Sequence, residues 1–414
     1  MSSEAATKTF TVAFMTSGGL APCLASSVAS LCASWVAAKK SGKIGGLQVI
    51  TYKAGYKGML IGDSVKLSQD DLENVECLHD MGGSPILNSR VKLTNVKDCV
   101  KRGLVKENED PLEVAAQQLL KDKVDVIHTI GGDDTNTQAA VLSEYILTKH
   151  GGKITVVGMP KTVDNDVYPI VQTFGADTAA YEGARFFSNV VSESTANPRM
   201  LIIHECMGRD SGYLTAATAR KYRESLKAKT FHPAFASDAS TRDIHAVWIP
   251  ELPIDIEAEG ARLKKIMDEG GNVNLFLSEG SGVHDIVAEM KSKGEEVPVD
   301  AFGHVSLAKI NPGAYFAKRV AELVEADKCL VQKSGYFARA APSNDFDRSL
   351  IRRCAEIGVQ SAIDGVSGCM GEDEDVEGTP IRPIEFERIK GGKPFNKDAA
   401  WFKELLVEIG QISK

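Results

Sequence analysis

The sequence predicts an α/β protein with two lobes, each built around a parallel β-sheet. Strand-like apolar runs alternate with helix-like segments along most of the chain, which is the pattern of parallel strands joined by crossover helices. Glycine-rich or acidic motifs follow several of these strands, at the edge where such sheets bind ligands. The length of 414 residues and the hydrophobic content of 43% are sufficient for two cores.

The first half of the chain yields seven elements in alternating order. The strands are short apolar runs, and the first helix is an amphipathic segment rich in small residues. Glycine turns separate several elements, and one of them leads from Gly82 and Gly83 to Arg90. In chain order we expect a strand at 10–15, a helix at 24–38, a strand at 44–52, a helix at 111–120, a strand at 124–130, a helix at 136–148 and a strand at 153–158.

The second half repeats the pattern and predicts the second lobe. Residues 220–242 are basic at first and then rich in Ser, Thr and Asp, which predicts a surface insertion. Near the end of the chain, Gly391, Gly392 and Pro394 precede a helix at about 399–412. Strands are expected at 200–206, 245–249 and 273–277.

Composition and charge exclude several classes of function. A formal net charge of -8 leaves no basic excess for binding a nucleic-acid backbone. No apolar run approaches the roughly 18 residues of a membrane span, and the polar segment 1–9 lacks the hydrophobic region of a signal peptide. We therefore expect a cytoplasmic protein that binds neither nucleic acid nor membrane.

The cysteines and histidines do not form metal-binding patterns. None of the eight cysteines belongs to a CxxC pair, which favours reduced and mostly buried thiols. The eight histidines show no HxxxH or HExxH spacing. A bound metal would therefore be a hard cation held by carboxylates and phosphate oxygens, and Mg2+ is the natural candidate.

Gly18 and Gly19 lie between the first strand and the first helix. Glycine permits a positive φ, so successive backbone N–H groups can surround an anion at a helix N-terminus. A tight strand-to-helix connection without a ligand explains the same residues, and the Gly-Lys-Ser/Thr of a P-loop is missing. The turn alone does not decide between these two interpretations.

Asp133 and Asp134 follow the strand at 124–130. Two adjacent ionised carboxylates at a strand end repel each other, and a divalent cation or a nearby lysine would relieve that repulsion. The alternative is that Asp134 or Thr135 caps the helix expected to begin near residue 136.

A second loop, residues 158–166, supplies a lysine. It follows the strand at 153–158 and contains Lys161, Asp164 and Asp166. The two aspartates could be turn formers. Two such loops at neighbouring strand ends favour phosphoryl transfer, which needs positive charge on the transferred group and a carboxylate that accepts the proton of the attacking hydroxyl.

The polar motifs of the second half are less specific, because a single arginine after a glycine is more often structural than functional. These motifs are Met207-Gly208-Arg209 after one strand, Glu279 after another, and Tyr336 with Arg339 in a later turn.

The order and spacing of all these motifs resemble the phosphofructokinase family over about residues 11–371. The pairing of Gly-Gly-Asp-Asp with Pro-Lys-Thr-Val-Asp-Asn-Asp carries the resemblance. It implies the phosphofructokinase fold of two Rossmann-like lobes and transfer of a phosphoryl group to the 1-hydroxyl of fructose 6-phosphate. It also implies that Asp164 is the general base, that Asp133 is the Mg2+-linked carboxylate, and that Gly18 and Arg90, with Gly19 in the same turn, contact the phosphoryl donor. The residues that match those around fructose 6-phosphate are Thr162, Asp166, Met207, Gly208, Arg209, Glu279, Tyr336 and Arg339.

The resemblance also indicates the donor. Family members that use ATP generally carry a glycine after the first aspartate and lack the lysine, whereas those that use pyrophosphate are similar to this chain in having Asp134 and Lys161. A carboxylate at this position should exclude the α-phosphate of ATP by bulk and charge, and Lys161 compensates the charge of pyrophosphate. We therefore expect reversible transfer from pyrophosphate that gives fructose 1,6-bisphosphate and phosphate, as a step of glycolysis or gluconeogenesis.

The resemblance further implies discontinuous lobes. We expect a donor lobe from residues 1–176 and about 341–390, and a sugar-phosphate lobe from 177–340 and about 391–414. A homodimer or homotetramer is implied as well, in which Arg199, one position out of register with the family pattern, would reach a neighbouring subunit's sugar phosphate. The alternatives are an ATP-dependent enzyme of the same fold and a catalytically silent regulatory subunit that binds sugar phosphates.

Overall fold

A computed structural model of the chain describes residues 7–232, 234–235, 238–299 and 305–413. In this part of the chain, the strands are β1 (Thr9–Thr16), β2 (Gly46–Tyr52), β3 (Ser64–Lys66), β4 (Val126–Gly131), β5 (Thr155–Pro160), β6 (Met200–Cys206), β7 (Ala246–Trp248), β8 (Asn272–Ser278), β9 (Lys328–Lys333), β10 (Gly368–Glu372) and β11 (Ile381–Ile384). The α-helices are α1 (Leu24–Lys40), α2 (Tyr56–Ile61), α3 (Gln69–Glu73), α4 (Val96–Lys101), α5 (Pro111–Lys121), α6 (Asp133–His150), α7 (Ala176–Val190), α8 (Tyr213–Lys227), α9 (Ala239–Arg242), α10 (Ile256–Gly270), α11 (Val283–Ser292), α12 (Leu307–Ile310), α13 (Pro312–Val324), α14 (Gly335–Arg339), α15 (Asp345–Ile363) and α16 (Ala400–Glu408). Short 3-10 helices lie at Val75–Asp80, Val191–Thr195 and Phe386–Arg388.

The chain forms two compact units, and each of them is discontinuous. Unit 1 comprises Met1–Thr178 and Arg339–Lys393, and unit 2 comprises Ala179–Ala338 and Pro394–Lys414. The sequence analysis placed the corresponding breaks near residues 176, 340 and 390.

Unit 1 contains a seven-stranded sheet in the order β11-β10-β5-β4-β1-β2-β3. The five strands from β10 to β2 run parallel, as an α/β pattern predicts. The two outer strands, β3 and β11, pair antiparallel with their neighbours. The centre of the larger sheet is therefore parallel as expected, and short reversals of the chain add an antiparallel strand at each edge.

The centre of this sheet explains why its strands read as continuous apolar runs. Every residue of β4 and β5 is buried. Helix α1 packs against α15, while α5 and α6 contribute side chains to the core that also contains residues of β1 and β4. Strands covered by helices on both faces need apolar side chains at successive positions rather than alternating ones.

Unit 2 contains a four-stranded sheet in the order β7-β8-β6-β9, and all of its pairings are parallel. All residues of the two central strands, β6 and β8, are buried. The three strands expected in this half from the sequence are confirmed as β6, β7 and β8. The fold class, α/β with two lobes, is therefore confirmed.

The expected surface insertion at 220–242 is only partly an insertion. Its first residues belong to α8, which extends to Lys227 and buries Tyr222 and Leu226 in the core of unit 2. Tyr222 and Leu226 are four residues apart, which is helical spacing, but the basic residues between and around them made the segment resemble a surface loop. Residues 233, 236 and 237 of the expected insertion lie outside the described residues, as do residues 1–6 of the N-terminal segment.

No helix in the described ranges has both the length and the apolar run that a bilayer span requires.

Candidate active site

The carboxyl ends of three neighbouring strands converge at one edge of the larger sheet. Strand β4 lies between β1 and β5, with Thr16 opposite Ile130 and Gly131 opposite Pro160. The backbone N–H of Ser17 donates to the carbonyl of Ile130 at 3.1 Å. This register brings together the glycine turn, the Gly-Gly-Asp-Asp motif and the loop at 158–166, because all three follow directly after these strand ends.

Two cationic side chains flank the glycine turn. Gly18 has φ of 93°, a value that favours glycine, and a methyl group at this residue would lie 3.1 Å from Nζ of Lys161. A methyl group at Gly19 would lie 3.3 Å from Nη2 of Arg90. The structure therefore brings Gly18, Gly19 and Arg90 together as expected and adds Lys161 to them, a combination that favours an anion site over a ligand-free turn.

Lys161 is buried at this turn, with 5% of its surface exposed. Its Nζ donates to the carbonyl of Gly19 at 2.5 Å. Burial lowers the pKa of the ammonium, and the positive charge of Arg90 lowers it further, while the negative charges of Asp164 and Asp166 raise it. A buried ammonium beside a glycine turn is a strong point charge for an anionic ligand, because little water screens it.

Helix α6 begins at Asp133, and Gly132 is its N-cap residue without a side-chain capping bond. The alternative that Asp134 or Thr135 caps a helix starting near residue 136 is therefore wrong. Asp133 and Asp134 lie in the first turn of the helix, where the helix dipole stabilises negative charge. Asn136 fixes this start by donating from Nδ2 to the carbonyl of Gly131 at 3.0 Å.

Asp134 pairs with a lysine that sequence reasoning missed. Its carboxylate accepts a hydrogen bond from Nζ of Lys92 at 2.5 Å, and the Asp134 side chain is 64% exposed. Lys92 lies two residues after Arg90, in a segment whose Ser89 carbonyl accepts the N–H of Gly18 at 2.9 Å. Proximity to Arg90 along the chain was the one signal for Lys92, because nothing in the local pattern distinguishes it from other surface lysines.

The loop that contains Asp164 and Asp166 is braced by its own side chains. Oγ1 of Thr162 accepts the N–H of Asp164 at 3.1 Å, and it donates to Oδ1 of Asp166 at 3.4 Å. Asn165, with φ of 50°, accepts the N–H of Thr173 at 2.7 Å. Asn165 is therefore the main turn-forming residue of this loop, and Asp164 and Asp166 lie on either side of Asn165.

The charge of Asp133 acts on the carboxyl group of Asp166. Burial raises the pKa of Asp166, and the negative charge of Asp133 raises it further. Two carboxylates so placed favour a cation between or beside them. In the described ranges, no group of three His, Cys, Asp or Glu side chains is placed to hold a metal ion, so these carboxylates would need ligand oxygens to complete a coordination shell.

In unit 2, Glu279 organises the Met207-Gly208-Arg209 turn. The register of β6 and β8 places Cys206 opposite Ser278, so the two motifs that follow are neighbours. Oε1 of Glu279 accepts the N–H groups of Gly208 and Arg209 at 3.4 and 3.3 Å. Burial raises the pKa of Glu279. Gly208 has φ of 141°, and a methyl group there would lie 2.4 Å from the carbonyl oxygen of Ser211, so this turn requires glycine.

Tyr336 lies after β9, the other neighbour of β6. Ser334 hydrogen-bonds with Nε2 of His204 at 2.8 Å, and its carbonyl accepts the N–H of Ala338 in α14. The Tyr336 side chain is 81% exposed. Arg339 ends the same short helix and belongs to unit 1.

Arg199 is not brought to these residues within the chain. It precedes β6 whereas Met207 follows it, and a strand of this length spans roughly 20 Å. Its guanidinium donates to the carbonyls of Val324 and Glu325 at 2.9 Å and pairs with Asp268 at 2.9 Å. Within its own chain Arg199 therefore satisfies carbonyl groups at the C-terminus of α13, and its expected contact with a neighbouring subunit stays a prediction.

Comparison with known proteins adds a family and close relatives. The family model described as Phosphofructokinase matches residues 11–361. Proteins from Methylotuvimicrobium alcaliphilum and Mastigamoeba balamuthi, both named pyrophosphate–fructose 6-phosphate 1-phosphotransferase, are 54% and 53% identical to this chain, and each alignment covers 97% of this chain and 96% of the relative. A crystal structure of a pyrophosphate-dependent phosphofructokinase from Marinobacter aquaeolei has a TM-score of 0.67 at 17% identity, covering 96% of this chain and 91% of that one.

Proposed function

Because the chain belongs to the phosphofructokinase family, we propose that it transfers a phosphoryl group reversibly from pyrophosphate to the 1-hydroxyl of fructose 6-phosphate. The products are fructose 1,6-bisphosphate and phosphate. The observation that carries the proposal is the glycine turn of unit 1, flanked by Arg90 and the buried Lys161. The names of relatives that match nearly the whole chain at over 50% identity support the same activity.

Gly18, Gly19, Arg90 and Lys161 bind the pyrophosphate. The glycine turn offers room for a phosphate because Gly18 and Gly19 lack side chains. Arg90 and Lys161 neutralise the negative charge of the phosphate. Phosphoryl transfer has a transition state with charge spread over the phosphoryl oxygens, so fixed cations at this place accelerate the reaction. Lys161 keeps its orientation through the carbonyl of Gly19.

Asp164 is the general base that accepts the proton of the 1-hydroxyl. The hydrogen bond from its N–H to Thr162 holds the loop in place. A carboxylate in hydrogen-bond reach of the attacking hydroxyl supplies the usual base catalysis of phosphoryl transfer. The presence of this carboxylate argues against a silent regulatory subunit.

Asp133 is the residue that would hold Mg2+. Magnesium binds through one or two carboxylates together with phosphate oxygens and water, and the effect of the Asp133 charge on Asp166 fits that donor set. An ion held there would neutralise negative charge on the phosphate oxygens of the donor. Asp166 and Thr162, which hydrogen-bond to each other, also belong to the residues around the sugar phosphate.

Donor choice depends on Asp134 and Lys161. The side chain of Asp134 occupies the first turn of α6, where a glycine would leave space for a nucleotide. The ion pair with Lys92 offsets part of the negative charge of Asp134. Asp134 therefore excludes ATP more by its bulk, and less by its charge, than the sequence alone predicts. No feature of the described site favours an ATP-dependent enzyme.

Met207, Gly208, Arg209, Glu279 and Tyr336 contribute the sugar-phosphate contacts of unit 2. Glu279 holds the Met-Gly-Arg backbone so that the arginine side chain can be presented to an anion. Arg339 of unit 1 belongs to the same proposed set. Arg199 would join this set only from a neighbouring subunit of the proposed assembly.

The proposal includes a reducing, cytoplasmic location and a homodimer or homotetramer. All eight cysteines are free thiols, which supports a reducing compartment. Sedimentation velocity of the purified protein measures the assembly directly, and a monomer under assay conditions would remove that part of the proposal.

A coupled assay tests the activity. We expect fructose 1,6-bisphosphate to form with fructose 6-phosphate, Mg2+ and pyrophosphate, with much less product when ATP replaces pyrophosphate. Exhaustive chelation should abolish the activity, and added Mg2+ should restore it. Preference for ATP would overturn the donor assignment, and full activity after chelation would remove Asp133 from its proposed role.

A further inference from the structure

Residues 390–393, here called the glycine strap, lie against the loop that contains Asp164 and Asp166. The N–H of Tyr168 donates to the carbonyl of Lys390 at 2.8 Å, and the N–H of Lys390 donates back to Tyr168 at 3.0 Å. The N–H of Lys393 donates to the carbonyl of Asp166 at 2.8 Å. The strap is therefore an extra backbone segment paired with the catalytic loop, from a part of unit 1 distant in sequence.

Gly391 brings the strap directly onto Asp133. A methyl group at Gly391 would lie 2.3 Å from Oδ2 and 2.7 Å from Cγ of that carboxylate. These distances are about 1 Å shorter than ordinary van der Waals contact of roughly 3.5 Å. The φ of Gly391 is outside the range that requires glycine, so the carboxylate, and not the backbone, is the reason that no side chain fits here.

Gly392 contacts the second carboxylate. A hydrogen bond from its N–H lowers the pKa of Asp166, opposing burial and the charge of Asp133. Gly392 has φ of 79°, which lets the chain turn so that Gly392 and Lys393 donate successively to the same aspartate.

A buried charge cluster anchors both the strap and the loop. Asp373 is fully buried and accepts bidentate hydrogen bonds from Arg388 at 2.7 and 2.8 Å. Arg388 also reaches Asp375 at 2.9 Å, and the hydroxyl of Tyr168 donates to the same Asp375 at 2.7 Å. The ends of the paired segments are thus tied to one rigid group of side chains.

Lys393 closes the other end of the strap. Its Nζ donates to the carbonyl of Ile170 at 3.1 Å and pairs with Glu374 at 2.5 Å. With both ends tied, the backbone at Gly391 has little freedom to move away from Asp133.

We propose that the glycine strap positions the Asp133 carboxylate and the Asp164–Asp166 loop for phosphoryl transfer, and that residue 391 is a glycine because any side chain would displace Asp133. This inference rests on the proposed function. Gly391 is a positioning residue and acts through Asp133, without contacting the reacting atoms. Misplacing a reacting or metal-linked group by 1 Å costs on the order of 100-fold in rate.

The test is the substitution Gly391→Ala, with Gly270→Ala as the matched control. A methyl group at Gly270 has no neighbour within 4 Å, so this variant introduces the same change without a collision. Three quantities are measured on wild type and both variants: kcat/KM for pyrophosphate, the midpoint of thermal unfolding, and the affinity for Mg2+ with pyrophosphate by titration calorimetry without the sugar phosphate.

We expect Gly391→Ala to lower kcat/KM by about 10- to 100-fold and to weaken binding of Mg2+ with pyrophosphate several-fold. The thermal midpoint should change by less than about 3 °C, because the carboxylate can move without unfolding the chain. Gly270→Ala should match the wild type in all three measurements.

The same substitution in an Asp133→Ala background shows whether the effect passes through the carboxylate. Without the carboxylate, Gly391→Ala should change residual kcat/KM by less than about two-fold. A folded Gly391→Ala variant with near wild-type kcat/KM would overturn the proposal, as would a full additional loss in the Asp133→Ala background. If Gly391→Ala does not fold, the proposal requires that the double variant of Asp133→Ala with Gly391→Ala folds. An unfolded double variant would also overturn the proposal.

The wild type separates this inference from the proposed function. A wild-type enzyme that does not use pyrophosphate refutes the function. An active wild type with an unaffected Gly391→Ala variant refutes the strap alone.

Discussion

Lys161→Met should weaken pyrophosphate use without weakening the fold. The Lys161 ammonium is 5% exposed, and burial lowers its pKa. A charge-assisted hydrogen bond contributes about 1.5–3 kcal/mol, so its loss should reduce kcat/KM for pyrophosphate by about 10- to 150-fold. Because burial disfavours the charged form of Lys161, an apolar side chain of similar length removes this desolvation cost. The expected result is a large loss of activity with an unchanged or higher free energy of unfolding.

The pH dependence of stability gives this prediction a second readout. Since the pKa of Lys161 is lower in the folded chain than its ordinary value of 10.5, the unfolded chain binds more protons between those two values. The free energy of unfolding of the wild type should therefore rise with pH through that window, and the rise should be missing in Lys161→Met. In the same window the wild type loses the Lys161 charge, so its kcat/KM for pyrophosphate should fall, whereas a folded Lys161→Arg variant keeps its charge.

Denaturant unfolding at several pH values and steady-state kinetics with saturating fructose 6-phosphate measure both effects. Lys106→Met is the matched control, because it removes one lysine charge at a residue whose side chain is 87% exposed. A loss of stability of more than about 1 kcal/mol in Lys161→Met, with kcat/KM unchanged, would refute the argument and make Lys161 a structural residue.

Three further substitutions and one control variant, Lys92→Met, test the site and the charge cluster around Asp373. Asp164→Asn should lower kcat by at least ~100-fold in a folded protein, measured with pyrophosphate at saturation; near wild-type turnover would exclude it as the base. Asp134→Gly should shift the ratio of specificity constants toward ATP by about 10-fold, whereas Lys92→Met should not, and equal shifts in both variants would contradict exclusion by bulk. Asp373→Asn should destabilise the protein by about 2 kcal/mol, below the value for a fully buried pair because its partner Arg388 is 31% exposed, and calorimetry should show a midpoint roughly 2–3 °C lower. Because Arg388 lowers the pKa of Asp373, this contribution should also be lost as pH falls, and an acid midpoint identical in wild type and variant would refute it.

The elements that carry the donor site could be predicted from sequence because their signals are local. Strands β1, β4 and β5 are apolar runs that end in glycine or acidic motifs, and parallel neighbours place such motifs at one edge. The sequence predicted the start of α6 near residue 136, three residues too late. The N-cap of this helix is Gly132, which has no side chain that could indicate a helix start.

Contacts between segments distant in sequence could not be predicted. The pairing of Lys92 with Asp134 depends on how the segment after Arg90 returns to α6, and a surface lysine has no pattern that indicates its partner. Gly391 and Gly392 looked like an ordinary turn, because their role depends on two aspartates more than 200 residues earlier. The partners of Arg199 within the chain, the carbonyls at the end of a helix, could not be predicted for the same reason.

The discontinuity of unit 1 has a consequence for synthesis of the chain on the ribosome. The glycine turn, the Gly-Gly-Asp-Asp motif and the loop at 158–166 are all synthesised before Thr178. Strands β10 and β11 and the glycine strap emerge only after almost all of unit 2. At roughly 5–20 residues per second, the interval from Thr178 to Lys393 takes about 10–40 s. During that time the nascent chain has β5 as an exposed sheet edge, and the glycine strap that lies against Asp133 is still missing. Activity therefore begins at the end of translation, and a chain that terminates early exposes an unpaired strand in place of an active enzyme.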